Sequence, residues 1–228
     1  MNDSQFNQII EAIGIEPYYR EPAGVIYCAD CLDIMKKIPD GAVDLVLTDP
    51  PYPDYHSELY GYDEEPIKYL QKFGCKQLIF QSAKVAPLRN DHTAVHIWDK
   101  RTGCGSMYER IFEYNGTANY KVYRHYFINS TVAASFGRDT FTGHPSQKPI
   151  KLICELIEEY SKSNDIILDP FFGSGTTAVA AKQLGRKFIG IEINYSYCQI
   201  AAERLAQTEL FAGDDQPVDD ILRQEELF

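Results

Sequence analysis

The sequence predicts an α/β fold, with a mostly parallel sheet and helices on both of its faces. Short apolar runs typical of buried strands, such as 43–47, 166–168 and 188–191, are separated by segments with helical periodicity. Strands that alternate with helices usually pair in parallel, because each helix carries the chain back across the sheet. The 228 residues, of which 44% are apolar, suffice for one hydrophobic core.

The first half of the chain is predicted to contain four strands and two helices. The second helix ends at Pro39-Asp40-Gly41, and the second strand carries Asp49 at its C-terminal end. Residues 52–66 are rich in tyrosine, proline and acidic residues, which predicts a loop. The predicted strands span 25–27, 43–47, 77–80 and 94–98, and the helices lie within 1–22 and over 30–37.

The second half begins with residues 99–145, which lack helical periodicity and contain one predicted strand, the aromatic stretch 121–128. We expect one domain over 1–211 and a flexible acidic tail over 212–228. Gly185 ends a predicted helix over 176–184. The other elements are strands over 166–168 and 188–191, and helices with apolar faces at Ile153, Leu156, Ile157 and Tyr160 and at Cys198, Ala201, Ala202 and Leu205.

The net charge of −11 argues against a polyanionic partner, since nucleic-acid binding normally shows as a basic patch. The charge is unevenly spread, because residues 99–151 contain eight Lys or Arg and only four acidic residues. This local excess is compatible with nucleic acid and equally with an ordinary solvated surface. The chain has no apolar run of about 18 residues and no signal peptide, so we expect a cytoplasmic protein.

The six cysteines do not predict a metal site. Only Cys28 and Cys31 have C-x-x-C spacing, and structural zinc usually needs four ligands. We therefore expect no metal.

The segment Asp169–Thr176 has the features of a loop that binds a nucleoside cofactor. It follows a predicted strand and opens a helix, where ligands of parallel sheets bind. Gly173 and Gly175 allow close approach of the backbone, and the helix N-terminus favours a carboxylate. Glu192, at the end of the next strand, can accept hydrogen bonds from two ribose hydroxyls. The third glycine typical of NAD sites is absent, and an ordinary strand–helix turn remains the alternative.

The segment Asp49-Pro50-Pro51-Tyr52 has the features of a site that holds an aromatic amine. The Asp49 carboxylate and the Pro50 carbonyl can each accept one N–H, which leaves the nitrogen lone pair available for attack on a sulfonium methyl. The prolines fix the backbone, and Tyr52 can stack on a base. The alternative is a proline-bearing turn after a strand.

With both motifs in this order, the sequence resembles the amino-methylating DNA methyltransferases, the N6-adenine/N4-cytosine family with β-type motif order. The resemblance covers about 24–52 and 142–211. It implies a circularly permuted, Rossmann-like fold that uses S-adenosyl-L-methionine (AdoMet). It implies a catalytic set of Asp49, Pro50, Pro51 and Tyr52. It also implies a cofactor set of Asp169, Phe171, Gly173, Ser174, Gly175, Thr176 and Glu192.

Two further segments are similar to family elements. His144–Pro149 resembles the H-P-x-Q-K-P element, in which Lys148 would neutralise the methionine carboxylate of AdoMet. Asp30-Cys31 resembles a short acidic turn that contacts the cofactor adenine. Both have structural alternatives, because Pro149 can start a helix and Asp30 can cap one.

The resemblance also implies the target base. An aspartate at the first position of the tetrapeptide usually goes with adenine, and a serine with cytosine N4, so we expect adenine N6. A base inside a duplex must be flipped out to reach such a site. The alternatives are cytosine N4, RNA, a protein glutamine amide, and a non-catalytic DNA-binding or regulatory protein on the same fold.

The segment available for target recognition, about 99–143, is short, so we expect a small insertion that contacts few bases, with a homodimer as one way to extend the surface. Any restriction enzyme that acts with this protein would be a separate chain. The candidates for DNA contact are Lys100, Arg101, Arg110, Lys121 and Arg124.

The C-terminal residues Gln224–Phe228 resemble the short peptides that dock bacterial replication enzymes on the sliding clamp. The same Q-x-E-L-F pattern occurs at 207–211, where we expect the end of a helix. A chance pattern in a flexible tail is the alternative.

Overall fold

The computed structural model describes residues 3–51, 64–101, 107–117, 119–125 and 147–211, with side chains to residue 207. The tail 212–228, Tyr52 and most of the predicted loop 52–66 lie outside the described residues. So do residues 126–146, including His144 and the end of the predicted strand 121–128.

The described residues form one nine-stranded sheet with six α-helices. The strands are β1 (Tyr19–Glu21), β2 (Gly24–Cys28), β3 (Leu45–Thr48), β4 (Lys76–Ser82), β5 (Ala94–Asp99), β6 (Tyr108–Tyr114), β7 (Val122–Arg124), β8 (Ile166–Asp169) and β9 (Lys187–Glu192). The helices are α1 (Asp3–Ile13), α2 (Cys31–Met35), α3 (Glu65–Tyr69), α4 (Ile150–Tyr160), α5 (Thr176–Gln183) and α6 (Tyr195–Phe211), and a 3-10 turn at Leu70–Lys72 follows α3.

The sheet has the strand order β1-β2-β9-β8-β3-β4-β6-β5-β7. Strands β2, β9, β8, β3 and β4 are parallel neighbours, while β1 and β6 run antiparallel to the strands they pair with. Helices cover both faces of the sheet. Because successive strand residues point to opposite sides, neighbouring residues of one strand pack against different helices. Val46 packs with the residues of α1 and α2, and Leu45 and Leu47 pack with those of α4, α5 and α6. The predicted fold class is therefore confirmed.

Several predicted boundaries have local causes that the structure shows. Asp30 caps α2, since its Oδ1 accepts a hydrogen bond from Leu32 N at 2.8 Å. Gly185 lies just past α5 with a φ of 67°, as the predicted helix end requires. The predicted loop 52–66 is wrong at its end, because α3 begins at Glu65 with Pro66 in its first turn.

Strand β6, which lies inside the sheet between β4 and β5, was not predicted from the sequence. Ile111, Phe112 and Tyr114 are buried, but charged residues interrupt the apolar pattern. One of these, Glu113, is buried beside His96, with 2.8 Å between Oε2 and Nε2. Residues 108–114 and 122–124 of the segment assigned to target recognition thus belong to the sheet.

None of the described helices is long and apolar enough to cross a membrane.

Candidate functional site

The tetrapeptide 49–52 and the glycine loop begin side by side, at the C-terminal ends of two neighbouring strands. Asp49 follows β3 and Asp169 ends β8, and these strands are parallel neighbours with Val46 opposite Leu168. Thr48 Oγ1 donates a hydrogen bond to Asp169 Oδ1 at 2.7 Å. The two motifs, about 120 residues apart in the sequence, are therefore joined directly.

The buried Asp169 carboxylate fixes the start of the glycine loop. It accepts hydrogen bonds from Thr177 Oγ1 at 2.6 Å and from Phe171 N at 3.2 Å, in addition to that from Thr48. Burial raises the pKa of Asp169 to about 6, although the three hydrogen bonds oppose this shift. Asp169 thus ties β3, β8 and α5 together.

The two loop glycines adopt backbone conformations that side chains disfavour. The φ angles of Gly173 and Gly175 are 54° and 80°. A Cβ atom on Gly175 would lie 2.8 Å from the Cβ of Ala201 in α6. The missing side chain of Gly175 therefore lets the start of α5 pack closely against α6.

Ser174 and Thr176 are buried and contact Arg204 of α6. The Arg204 guanidinium donates to the Ser174 carbonyl oxygen at 2.6 Å and lies 3.3 Å from Thr176 Oγ1. The sequence analysis did not identify Arg204. The sequence signal for Arg204 was that it is the one arginine in α6, a helix that was predicted from its apolar face.

Glu192 joins the glycine loop to the turn after β9. Its Oε2 accepts from Gly173 N and its Oε1 from Asn194 N, each at 2.8 Å. Burial raises the pKa of Glu192, and the backbone hydrogen bonds oppose that rise. Each carboxylate oxygen has a second lone pair that can accept from a ligand hydroxyl.

Asp30 and Cys31 lie at the same edge, beside Glu192. Cys28 is opposite Glu192 in the parallel pairing of β2 and β9, and Ala29 N donates to the Glu192 carbonyl at 3.1 Å. The Asp30 cap and a contact with a ligand are compatible, because Oδ1 serves the cap.

Lys148 lies against Asp49 in the lining of the cleft. Its ammonium donates to Asp49 Oδ2 and lies 3.4 Å from Glu109 Oε2. The resemblance assigned this ammonium to the cofactor carboxylate, whereas its contacts here are with carboxylates of the protein. Pro50 is buried and Pro51 partly exposed, directly after Asp49.

A cleft connects Asp49 and Lys148 with the glycine loop. Residues of both motifs line it. Among the lining residues, Lys148 precedes α4, Phe80 lies in β4 and Thr176 lies in α5. The lining includes Thr48, Asp49, Phe80, Lys148, Asp169, Phe171, Gly173 and Thr176.

The five basic candidates for DNA contact divide into two groups. Lys100 is buried, with Nζ 2.6 Å from Glu109 Oε1, and Arg110 donates to the Ser82 carbonyl at 2.8 Å. Arg101, Lys121 and Arg124 are exposed on or beside β5 and β7. The Lys100 ammonium and the Arg110 guanidinium therefore bind acceptors within the protein.

Comparisons with known proteins agree with this arrangement. Residues 54–203 match a family model described as DNA methylase, N6_N4_Mtase. The type II methyltransferase M2.LlaDCHI of Lactococcus lactis subsp. cremoris is 27% identical over 83% of this chain and 92% of its own length.

Solved structures show the same fold. The M1.HpyAVI–SAM complex is 26% identical, with a TM-score of 0.56 over 78% of this chain and 98% of that one. The cytosine-N4-specific PvuII DNA methyltransferase is 17% identical, with a TM-score of 0.61 over 83% and 88%.

The residues of the cleft fit AdoMet. Glu192, just before the exposed turn after β9, offers a carboxylate with acceptor capacity, and the positive φ angles of Gly173 and Gly175 set the path of the loop backbone. The N-terminus of α5 can receive a carboxylate, and Phe171 supplies an apolar wall. Glu192 and the two glycines would hold the cofactor.

Proposed function

The chain belongs to the N6_N4_Mtase family of DNA methylases, which use AdoMet, and on this premise we propose that it methylates the exocyclic N6 of adenine in DNA. The observation that carries the proposal is the position of Asp49. Its carboxylate lies at the same sheet edge and in the same cleft as the glycine loop. A base amine held by Asp49 would therefore face the cofactor.

In this reaction the protein must orient the exocyclic amine of the base, which is a weak nucleophile. The Asp49 carboxylate and the Pro50 carbonyl each accept one N–H of a flipped base, which favours a nitrogen with an available lone pair. AdoMet supplies the methyl group as a sulfonium, whose sulfur takes the electrons of the broken bond. The nitrogen loses one proton, which the Asp49 carboxylate that holds the amine can accept.

Adenine is favoured over cytosine by the aspartate at the first position of the tetrapeptide, as the resemblance implies. Cytosine N4 is the second candidate, because its amine also presents two N–H donors. One neighbour in fold, the PvuII enzyme, is a cytosine-N4 methyltransferase. That likeness concerns the fold alone.

Nucleoside analysis tests the assignment. Labelled AdoMet and unmethylated genomic DNA are incubated with the protein, and the DNA is digested to nucleosides. We expect the label in N6-methyl-2′-deoxyadenosine. Label in N4-methylcytosine would keep the chemistry and overturn the base. No label in any nucleic acid, despite AdoMet binding, would overturn the proposed function.

We also propose that Arg101, Lys121 and Arg124 contact DNA from the exposed end of the sheet. They are the solvent-exposed members of the basic candidates, and β7 lies at the end of the sheet order. Exposed cations suit phosphate contacts, which position a duplex without reading its sequence.

A further inference from the structure

Four charged side chains form a compact cluster at the catalytic end of the cleft. Lys148 contacts Asp49 and lies 3.4 Å from Glu109 Oε2, and Lys100 lies 2.6 Å from Glu109 Oε1. Glu109 comes from β6, the strand that the sequence analysis missed. The two lysines and two carboxylates balance in charge, so the cluster can be buried.

The Lys148 ammonium has two carboxylates within reach, and they are not equally served. Asp49 Oδ2 is in direct contact with Nζ. Glu109 Oε2 is buried and accepts no hydrogen bond from any described residue. The Lys148 ammonium lies 3.4 Å from this oxygen, and a buried carboxylate oxygen without a well-placed donor is costly. A short movement of Nζ would supply that donor.

Lys148 remains an ammonium in this environment. Burial alone would lower the pKa of Lys148, but Asp49 and Glu109 outweigh burial and hold it above its usual value. The faces of Phe80 and Trp98 also favour the cation, with ring centroids 5.2 Å and 5.9 Å from Nζ. The lysine is therefore a donor of hydrogen bonds, and it competes with any other donor for Asp49.

The target amine is such a donor. If the proposed function holds, the amine must reach the Asp49 carboxylate, where the Lys148 ammonium now lies. We propose that Glu109 is a positioning residue that receives the Lys148 ammonium when the base enters, so that Asp49 can accept the N–H of the base. Lys100 holds the other oxygen of Glu109 and keeps its carboxylate aimed at the cleft.

The first test is the single-turnover rate of methyl transfer to unmethylated genomic DNA, with the protein in excess over its sites. In Glu109→Gln the ammonium loses the second carboxylate that the described residues offer, and it stays on Asp49. We expect a rate reduced about tenfold or more, with the AdoMet Kd changed by less than about twofold. Glu109→Asp, which keeps the charge, should retain more of the rate.

The double variant Glu109→Gln/Lys148→Met separates this proposal from a merely structural role. It removes the ammonium that blocks Asp49, so we expect a rate at least about threefold above that of Glu109→Gln. The matched control is Glu21→Gln, which breaks a carboxylate–lysine pair with Lys182 at 2.7 Å on β1, far along the sheet order. Its rate should equal that of the wild type. A wild-type rate in Glu109→Gln, or a double variant no faster than Glu109→Gln, would overturn the proposal.

A second measurement does not depend on methyl transfer. The Nζ signal of Lys148 is followed by NMR in protein labelled with nitrogen-15 lysine and is assigned by its loss in Lys148→Met. In Asp49→Asn, Glu109 should take the ammonium and keep its protons protected from exchange. In Asp49→Asn/Glu109→Gln the protection should be lost. Loss of protection in Asp49→Asn alone, or protection that persists in the double variant, would show that Glu109 is not the second acceptor.

The two measurements distinguish the two proposals. A wild-type protein that labels no nucleic acid would remove the proposed function, while the NMR result would still decide whether Lys148 has two carboxylate acceptors.

Discussion

The Glu192 carboxylate holds two backbone segments in place, since it accepts from Gly173 N and Asn194 N. Removing it would free both segments and delete the proposed partner of the ribose. We expect Glu192→Ala to raise the Kd for AdoMet by about 10- to 100-fold, as measured by calorimetry. The control is Glu203→Ala, an exposed glutamate of α6. Equal affinities in the two variants would remove Glu192 from the cofactor site.

The buried Asp169 carboxyl predicts a dependence of stability on pH. The folded protein keeps the Asp169 proton up to about pH 6, whereas the unfolded chain releases it near 3.8. The contribution of Asp169 to the free energy of unfolding is therefore present in full below pH 3.8, and it is lost as the pH rises through 6.

Asp169→Asn removes this titration while it keeps an oxygen acceptor. We expect the Asp169 contribution to the wild-type free energy of unfolding to fall by about 1 kcal/mol between pH 5 and pH 7.5. Urea unfolding of both proteins over this range measures the difference. If the free energies of unfolding of the wild type and Asp169→Asn change by the same amount with pH, the raised pKa of Asp169 is contradicted.

At the scale of elements, the close packing of α5 on α6 depends on Gly175. Its φ is 80°, and a Cβ atom would lie 2.8 Å from the Ala201 Cβ. We expect Gly175→Ala to destabilise the protein by about 1–3 kcal/mol and to weaken AdoMet binding. Gly74→Ala is the matched control, because nothing lies within 4 Å of its added Cβ. Similar melting temperatures for the two variants would contradict this account of the loop.

The elements that could be predicted are those whose local pattern agrees with their environment. Leu45 to Leu47 and Ile166 to Leu168 are apolar because both faces of these central strands are covered. Strand β6 was missed because Glu109, Arg110 and Glu113 pair with groups on other elements. Such tertiary pairing has no local signal in a single sequence.

The candidate site follows the same rule. Asp49, Gly175 and Glu192 could be placed at one end of the sheet from the sequence, because each follows a recognisable strand or opens a helix. The contact of Lys148 with Asp49 could not be predicted, since it joins residues 99 positions apart. Glu109 and Arg204 act through contacts between elements and were missed for that reason.

For the whole molecule, the net charge of −11 requires that DNA contact be local. Arg124 lies on β7 with its side chain 62% exposed, 3.8 Å from Asp99. We expect Arg124→Ala to weaken DNA binding, to reduce the salt dependence by about one phosphate contact, and to leave AdoMet binding unchanged. Lys37→Ala, an exposed lysine after α2, is the control. Unchanged DNA affinity in Arg124→Ala would exclude this residue from the interface.

The central claim is that Asp49 activates a base amine beside a cofactor site that other residues build. The most direct test measures AdoMet affinity and methyl transfer to DNA in Asp49→Ala. The account predicts an AdoMet Kd within about threefold of the wild type and transfer reduced by at least about a hundredfold. Substantial transfer by Asp49→Ala, at a rate near that of the wild type, would contradict the account.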